Sequence, residues 1–332
     1  MNNIESVSTL KMRLSYGFTG NNNIDAYESS VNANGLYFYD FGGTLANGIG
    51  PSGIANLALT WERTEEVNLG FDFGFYRGRI SGTVDVYSRL SEGLLLERKL
   101  PIPMGWDNMT DNIGSVSNKG IEASLRTINV QRGDFTWETS FIFSRNKNAV
   151  VETNLGKVDD VVNGLFIGEP VDVHYNYDFI GIWQLDELEE AALWAREPGM
   201  PKIRDISGPD GVPDGKIDAQ YDRTVIGKPI PDWTGSFYTR LTYKNFDLSM
   251  SIYTEQGIMK KSSFFNDLIY TSRNTVLHNY WTTTNPSNDA PNPSFLDDIY
   301  WGRKGAQLQN MRDCSYTRLQ NITLGYTLPS NI

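Results

Sequence analysis

Chemistry in this sequence is concentrated in one acidic stretch, Asp205–Asp222, which reads DISGPDGVPDGKIDAQYD. Counted from Asp210, carboxylates fall at positions one, five and nine of an EF-hand-like loop (Asp210, Asp214, Asp218), with Gly215 at six and the Lys216 carbonyl at seven. Several oxygens converging at that spacing suit Ca²⁺, a hard cation that takes oxygen ligands. The pattern is imperfect, because Val212 stands at position three and Tyr221 where the closing carboxylate belongs, with Asp222 one residue late. The same residues also read as an Asp/Gly/Pro-rich turn whose side chains bond their own backbone. No cofactor is required; calcium is the one ion this loop suggests.

Other candidate groups carry less. Gly48-Ile-Gly-Pro-Ser-Gly53 matches GxGxxG by count, but Pro51 interrupts it and no strand–turn–helix unit surrounds it, so it reads as loop glycines. His174 and His278 are the only histidines and Cys314 the only cysteine. The chain contains no HExxH and no GxSxG, so covalent and metal-dependent hydrolysis lack their usual groups, and the expectation is a protein that is not an enzyme. Trp106, Trp183, Trp194, Trp281 and Trp301 stand in segments between strands, where an indole can stack on a sugar ring or pack one loop against another.

The elements that position these groups are extended. The chain has 332 residues, with 29 Lys plus Arg against 40 Asp plus Glu and a net charge of -11, so no basic patch invites nucleic acid. Aromatic residues make up 12%, and 31 Gly and 14 Pro favour strands and turns over helices. No run of about 18 apolar residues exists, which excludes a membrane-spanning helix and leaves a β-barrel open. The N-terminus, MNNIESVSTLKMRLSYG, has neither the basic nor the apolar segment of an export signal.

Residues 67–87, VNLGFDFGFYRGRISGTVDVY, set the pattern. Val67, Leu69, Phe71, Phe73 and Phe75 alternate with polar or small residues, Arg77 and Gly78 make a tight turn, and Ile80, Gly82, Val84 and Val86 return on the apolar side. A period of two with a minimal turn predicts an antiparallel hairpin. The same alternation marks a strand from Leu10 to Phe18, another through Ile121–Leu125, and one from Phe135 to Phe143. It continues in a pair at Trp233–Tyr243 and Phe246–Ile252, and in a last strand at Tyr316–Leu328. The hairpin's first strand is expected to begin near Leu57 and its second to fade near Leu96. One helix is predicted at Leu185–Arg196, before Pro198 and Gly199. The connections alternate strictly between long and short. Globular domains seldom need structureless loops of many tens of residues, whereas outer-membrane barrels have short periplasmic turns and long extracellular loops. Trp61, Tyr76, Trp233, Tyr243 and Tyr326 near strand ends suit an interfacial girdle. The expected fold is all-β: a portion of an antiparallel transmembrane β-barrel with about eight long strands, with a large soluble sandwich as the alternative.

Specific segments sharpen this. LKMRLSYGFTGN (10–21), LTWERTEEVNLGFDFGFYRGRISGTVDVYSR (59–89), NIGSVSNKGIEASL (112–125), FSRNKNAVVE (143–152), PDGVPDGKIDAQYDRTVIGKPIPDWTGSF (209–237) and SYTRLQNITLGYTLP (315–329) resemble the SusC/RagA family of TonB-dependent outer-membrane transporters of the Bacteroidota. The resemblance implies a barrel of about 22 strands closed by an N-terminal plug. It implies import of oligosaccharides or peptides energised by TonB–ExbB–ExbD, outer-membrane lipid around the strands, and a SusD-like surface lipoprotein as lid. Members of the family are much longer, so residues 1–332 are expected to be one partial barrel domain. Signal peptide, TonB-contacting segment, plug and terminal strands would lie outside it. Strands taken from so wide a barrel should form an open, curved sheet with exposed edges rather than a small closed barrel. The competing functions are a passive porin and a soluble glycan-binding β-protein.

Overall fold

The computed structural model describes residues 6–22, 29–31, 33–261, 279–295 and 311–328. The chain divides into two units, one formed by Met1–Val171, Gly235–Tyr253 and Leu319–Ile332, the other by Asp172–Thr234 and Thr254–Arg318.

The first unit carries the body of an eight-stranded sheet. Its strands are β1 (Val7–Asn21), β2 (Glu62–Phe75), β3 (Ile80–Glu92), β4 (Ser115–Arg132), β5 (Phe135–Glu152), β6 (Trp233–Tyr243), β7 (Phe246–Gln256) and β8 (Tyr316–Tyr326). They lie side by side in chain order, with β1 and β8 at the two edges, so the sheet is open. Strands of 11 to 18 residues meet the length that a tilted membrane strand requires.

Alternation becomes register. Leu14, Leu69, Val86 and Ile121 stand opposite one another across β1–β4, and so do Met12, Phe71, Val84 and Ala123. One face of the sheet is therefore apolar in rows. Its side chains are exposed rather than packed on a core, Leu10 at 72% and Leu14 at 71%. An apolar face this large has to be covered by something other than water. The tight turn after β2 is built from Tyr76, Arg77 and Gly78 at φ 53, 58 and 82°, which closes a Gly78 N–H to Phe75 carbonyl bond of 3.1 Å. Comparable turns at Gly133–Asp134 and Lys244–Asn245 join β4 to β5 and β6 to β7.

The opposite face is polar and cross-linked. Arg13 donates to both oxygens of Asp72 at 3.1 and 2.9 Å and to Asp85 at 3.0 Å. Hydroxyl pairs Thr64–Ser91 and Thr83–Ser124 close at 2.8 Å. Asn146 and Asn148 both donate to the Asn118 side-chain carbonyl, at 3.1 and 3.0 Å. Glycine supplies the room for this layer. A Cβ on Gly120 would run into the Tyr87 ring end and lie 2.8 Å from the Arg145 carbonyl, and one on Gly70 would lie 2.7 Å from the Arg13 guanidinium.

The structure departs from the sequence reading between the strands. The long connections between β1 and β2 and between β3 and β4 contain paired strands: Ala33–Phe41 with Thr44–Pro51, and Leu95–Lys99 with Asn108–Asn112. β2 begins at Glu62, not near Leu57, because the Asn56 side chain accepts from the Ala58 N–H and donates to the Thr110 carbonyl, which holds the chain in a turn. β3 stops at Glu92, where Gly93 takes φ 63°. The helix is shorter than predicted: a 3₁₀ turn at Leu185–Glu187 and an α-helix over Leu188–Leu193, broken as Ala195 turns to φ 51°. In the second unit, short pairs join His174–Tyr177 to Arg223–Gly227, Phe179–Ile182 to Pro201–Ile203, and Met259–Lys261 to Met311–Asp313.

Replacing Gly120 by Val should force Tyr87 off its seat and strain β4 against a backbone carbonyl that cannot retreat. Overpacking of this kind costs about 1–3 kcal/mol. The urea midpoint of the folded, heat-modifiable species should fall for Gly120→Val and hold for Ser88→Val on the other face.

Candidate functional site

The acidic loop folds around one carboxylate. Asp222 is 1% exposed. Its Oδ1 accepts the N–H groups of Ile206 at 2.8 Å and Ser207 at 3.3 Å, and its Oδ2 accepts that of Asp218 at 2.7 Å. Asp218 Oδ1 accepts from Gln220 and Tyr221 at 2.8 and 2.9 Å, and Asp214 Oδ1 accepts from Lys216 at 3.0 Å. Asp205 Oδ2 takes the Gly215 N–H at 2.8 Å, with Gly215 at φ 81°. The bonds of Asp214 and Asp218, and that of Asp222 to Asp218, are turn bonds of the kind Asp makes to backbone nearby in sequence, whereas Asp222 to Ile206 and Ser207 and Asp205 to Gly215 close the loop across 10 to 16 residues. The structure thus joins Asp218 to Asp222 and Asp214 to Lys216, and it leaves Asp210 on an exposed tip next to Gly211. Among the described residues no three His, Cys, Asp or Glu side chains gather as a cation's ligands would. The oxygens of Asp222 are already engaged by N–H donors, which fits a hydrogen-bonded turn better than an oxygen cage.

A small core stands beside this loop in the second unit. Trp183 is 4% and Trp281 2% exposed, so these two indoles pack the fold, and Trp183 also forms part of a cavity wall. Trp281 Nε1 donates to Gln184 Oε1 at 2.9 Å, and Gly199 at φ 93° lets the ring approach, since a Cβ there would lie 2.5 Å from it. Lys202 Nζ sits 4.1 Å from the Trp183 ring centre and 2.6 Å from Glu187 Oε1. Glu187 also accepts the Gln184 N–H at 3.0 Å, which ties the start of the 3₁₀ turn. The Lys202 ammonium, with that N–H, holds the Glu187 carboxyl below its ordinary value.

A cavity of about 480 Å³ opens over this core, lined by Trp194, Arg196, Ile203, Lys216 and Ile217 among others. It brings two sequence-selected tryptophans, Trp183 and Trp194, and three residues of the acidic loop, Gly215, Lys216 and Ile217, to the same wall. Trp106 is half-buried in the first unit. His174 Nε2 donates to the Met259 carbonyl at 2.9 Å, a structural bond. The glycines of 48–53 lie on and just after the Thr44–Pro51 strand, not in a phosphate-binding turn. His278 and Trp301 fall outside the described residues. The Arg13–Asp72–Asp85 cluster and the Asn118 ladder were not singled out from sequence, although strand register would have aligned them.

Two substitutions test this account. Asp222→Ala removes the one buried acceptor of three N–H groups, each bond to a charged group worth about 1.5–3 kcal/mol, so residues 205–222 should become a protease-sensitive segment while the sheet persists. Glu187→Gln removes an anion whose folded titration point is depressed. Its stabilisation is therefore complete above the ordinary carboxylate range, about pH 4.3, and is lost as pH falls through the lower folded value. Wild type should be the more stable near neutrality, and the gap should close on acidification.

No family model matches the chain. Among curated proteins it is 32% identical over 342 residues to TonB-dependent receptor P3 of Formosa agariphila, covering 98% of this chain and 33% of that protein. It is 30% identical over 339 residues to TonB-dependent receptor SusC of Bacteroides thetaiotaomicron, covering 98% and 32%. Among solved structures it superposes on the RagAB peptide transporter with a TM-score of 0.74 at 23% identity, covering 100% of this chain and 36% of that one. The chain spans about a third of the length of the curated relatives it matches. With its antiparallel, two-faced strands and these relatives, the chain belongs to the SusC/RagA family of TonB-dependent receptors and carries part of their transmembrane β-barrel.

Proposed function

We propose that this chain forms barrel wall and extracellular loops of an outer-membrane transporter that imports oligosaccharides or peptides. A SusD-like lipoprotein would close it from outside, and TonB–ExbB–ExbD would energise it. The observation that carries the reading is the two-faced sheet. Rows of exposed apolar side chains cover one side, and a hydroxyl, amide and ion-pair layer covers the other. Lipid suits the first face and a wet lumen the second. Kinship supports it, since the matched relatives are named as TonB-dependent receptors and a structural neighbour is titled a peptide transporter. The work of such a protein is passage and recognition rather than bond-making, so no residue here is given a catalytic role.

The test is uptake in cells deleted for the gene and complemented with it. Labelled oligosaccharide and labelled oligopeptide mixtures should separate the substrate classes. Loss of one class on deletion, restored by the gene and abolished by a protonophore, is the expected result. Uptake that survives the protonophore would make the protein a passive porin. Recovery of the protein in the soluble fraction without detergent would overturn the membrane reading.

A further inference from the structure

On the apolar face, rows run across β1 to β5. From the tight-turn end they are Leu10–Phe73–Gly82–Leu125–Phe141, then Met12–Phe71–Val84–Ala123–Phe143, then Leu14–Leu69–Val86–Ile121–Arg145, then Tyr16–Val67–Ser88–Lys119–Lys147. The first two rows hold no charge. Cations enter only in the last two, all on β4 and β5. Successive rows lie about 6.8 Å apart along the strands, so Arg145 stands about 14 Å and Lys119 and Lys147 about 20 Å from the first row, the outer pair close to the height of a barrel's apolar band.

Lys119 and Lys147 are direct cross-strand partners, and Arg145 lies one row nearer the turns, opposite Ile121. Like charges placed opposite each other on one face are unfavourable, and among the described residues no counter-charge pairs with them. All three are exposed, and among the described residues none of their side chains is engaged in a hydrogen bond or ion pair. Glu65, on the same face, lies one row farther out on β2, with β3 between it and Lys119, and bonds the Tyr16 hydroxyl. Val67, Leu69, Val86 and Ile121, with the stems of these cations and Ser88, line a shallow groove of about 630 Å³.

We infer that Lys119, Arg145 and Lys147 form a docking site for the phosphate of an outer-leaflet lipid, whose acyl chain follows the Val67–Leu69–Val86–Ile121 groove. The inference rests on the membrane reading above. That reading puts the tight turns on the periplasmic side and the cationic rows at the outer boundary of the hydrocarbon. Charge complementarity and continuity with the apolar band identify the occupant: a ligand anionic at one end and aliphatic at the other. A basic cluster at that depth gains from each anionic headgroup it meets, while the lysine and arginine stems stay in the apolar layer.

The protein, purified in detergent and delipidated, is offered an equimolar mixture of dimyristoyl phosphatidylglycerol and dimyristoyl phosphatidylcholine, and retained lipid is counted by native mass spectrometry. Wild type should retain the anionic lipid selectively, and added salt should weaken retention by screening. Lys147→Gln should lower retention roughly fivefold and the triple glutamine variant about a hundredfold, with the single variant decisive if the triple does not fold. Equal retention of both lipids, no change in the variants, or equal stabilisation by inorganic phosphate alone would overturn the inference. A chain that partitions into detergent without lipid preference defeats this inference and leaves the membrane reading intact; one that stays soluble and takes up neither lipid defeats both.

Discussion

Everything in the first unit depends on an unbroken antiparallel ladder. In hydrocarbon an unpaired N–H or carbonyl costs several kcal/mol, roughly the penalty of burying any unbonded polar group, so a strand can face lipid only while its neighbours satisfy it. From β1 to β5 the register runs nearly residue for residue, with shifts confined to strand ends such as Val7/Thr9 and Ile128/Val130. That continuity converts a period of two in sequence into two chemically opposite surfaces. It also fixes the glycines: Gly70, Gly82 and Gly120 sit where a neighbouring side chain or carbonyl crosses their own Cβ position.

Two consequences follow from the ladder. Its edges at β1 and β8 present unpaired backbone, a state that barrels abolish by closure. And the fold's specificity has to come from side chains on the polar face, because the apolar face distinguishes one register from the next only by volume. Arg13 bridging Asp72 and Asp85 across β1, β2 and β3, and Asn118 receiving two asparagines from β5, each work in one register alone.

The strands were legible in the sequence because alternation is a local signal, and their partners because tight turns pair them. Turn residues at Arg77–Gly78, and the two-residue gap between Trp233–Tyr243 and Phe246–Ile252, made these hairpins readable. The long connections were not, for a physical reason. Pairs such as Phe179–Ile182 with Pro201–Ile203 are three or four residues long and too short for a period to show. Likewise the acidic loop was visible as a cluster, but its centre was not. Asp222, the residue that breaks the calcium pattern by coming one position late, is the one buried and bonded to three N–H groups. Spacing counts carboxylates without saying which way they turn. Trp183 and Trp281 pose the same problem: a loop tryptophan reads identically in sequence whether it is offered to solvent or packed beneath it.

The two faces also differ in how they treat charge. On the polar face several cations are matched, Arg13 with Asp72 and Asp85, Arg89 with Glu66, Arg126 with Glu138. Partly exposed pairs of this kind contribute little stability individually, but they cancel the field that isolated charges would project into an aqueous channel. In the proposed transporter a solute moving along this wall would meet mainly hydroxyls, amides and neutralised pairs. On the apolar face three cations are collected in two adjacent rows and, among the described residues, left unmatched. Solvent would make that arrangement cheap anywhere on a soluble protein, yet here the cations are absent from the rows nearer the turns and present only at the end of the apolar band. A rise of positive charge along the apolar face is what a boundary between hydrocarbon and anionic headgroups would impose on a sheet that crosses it.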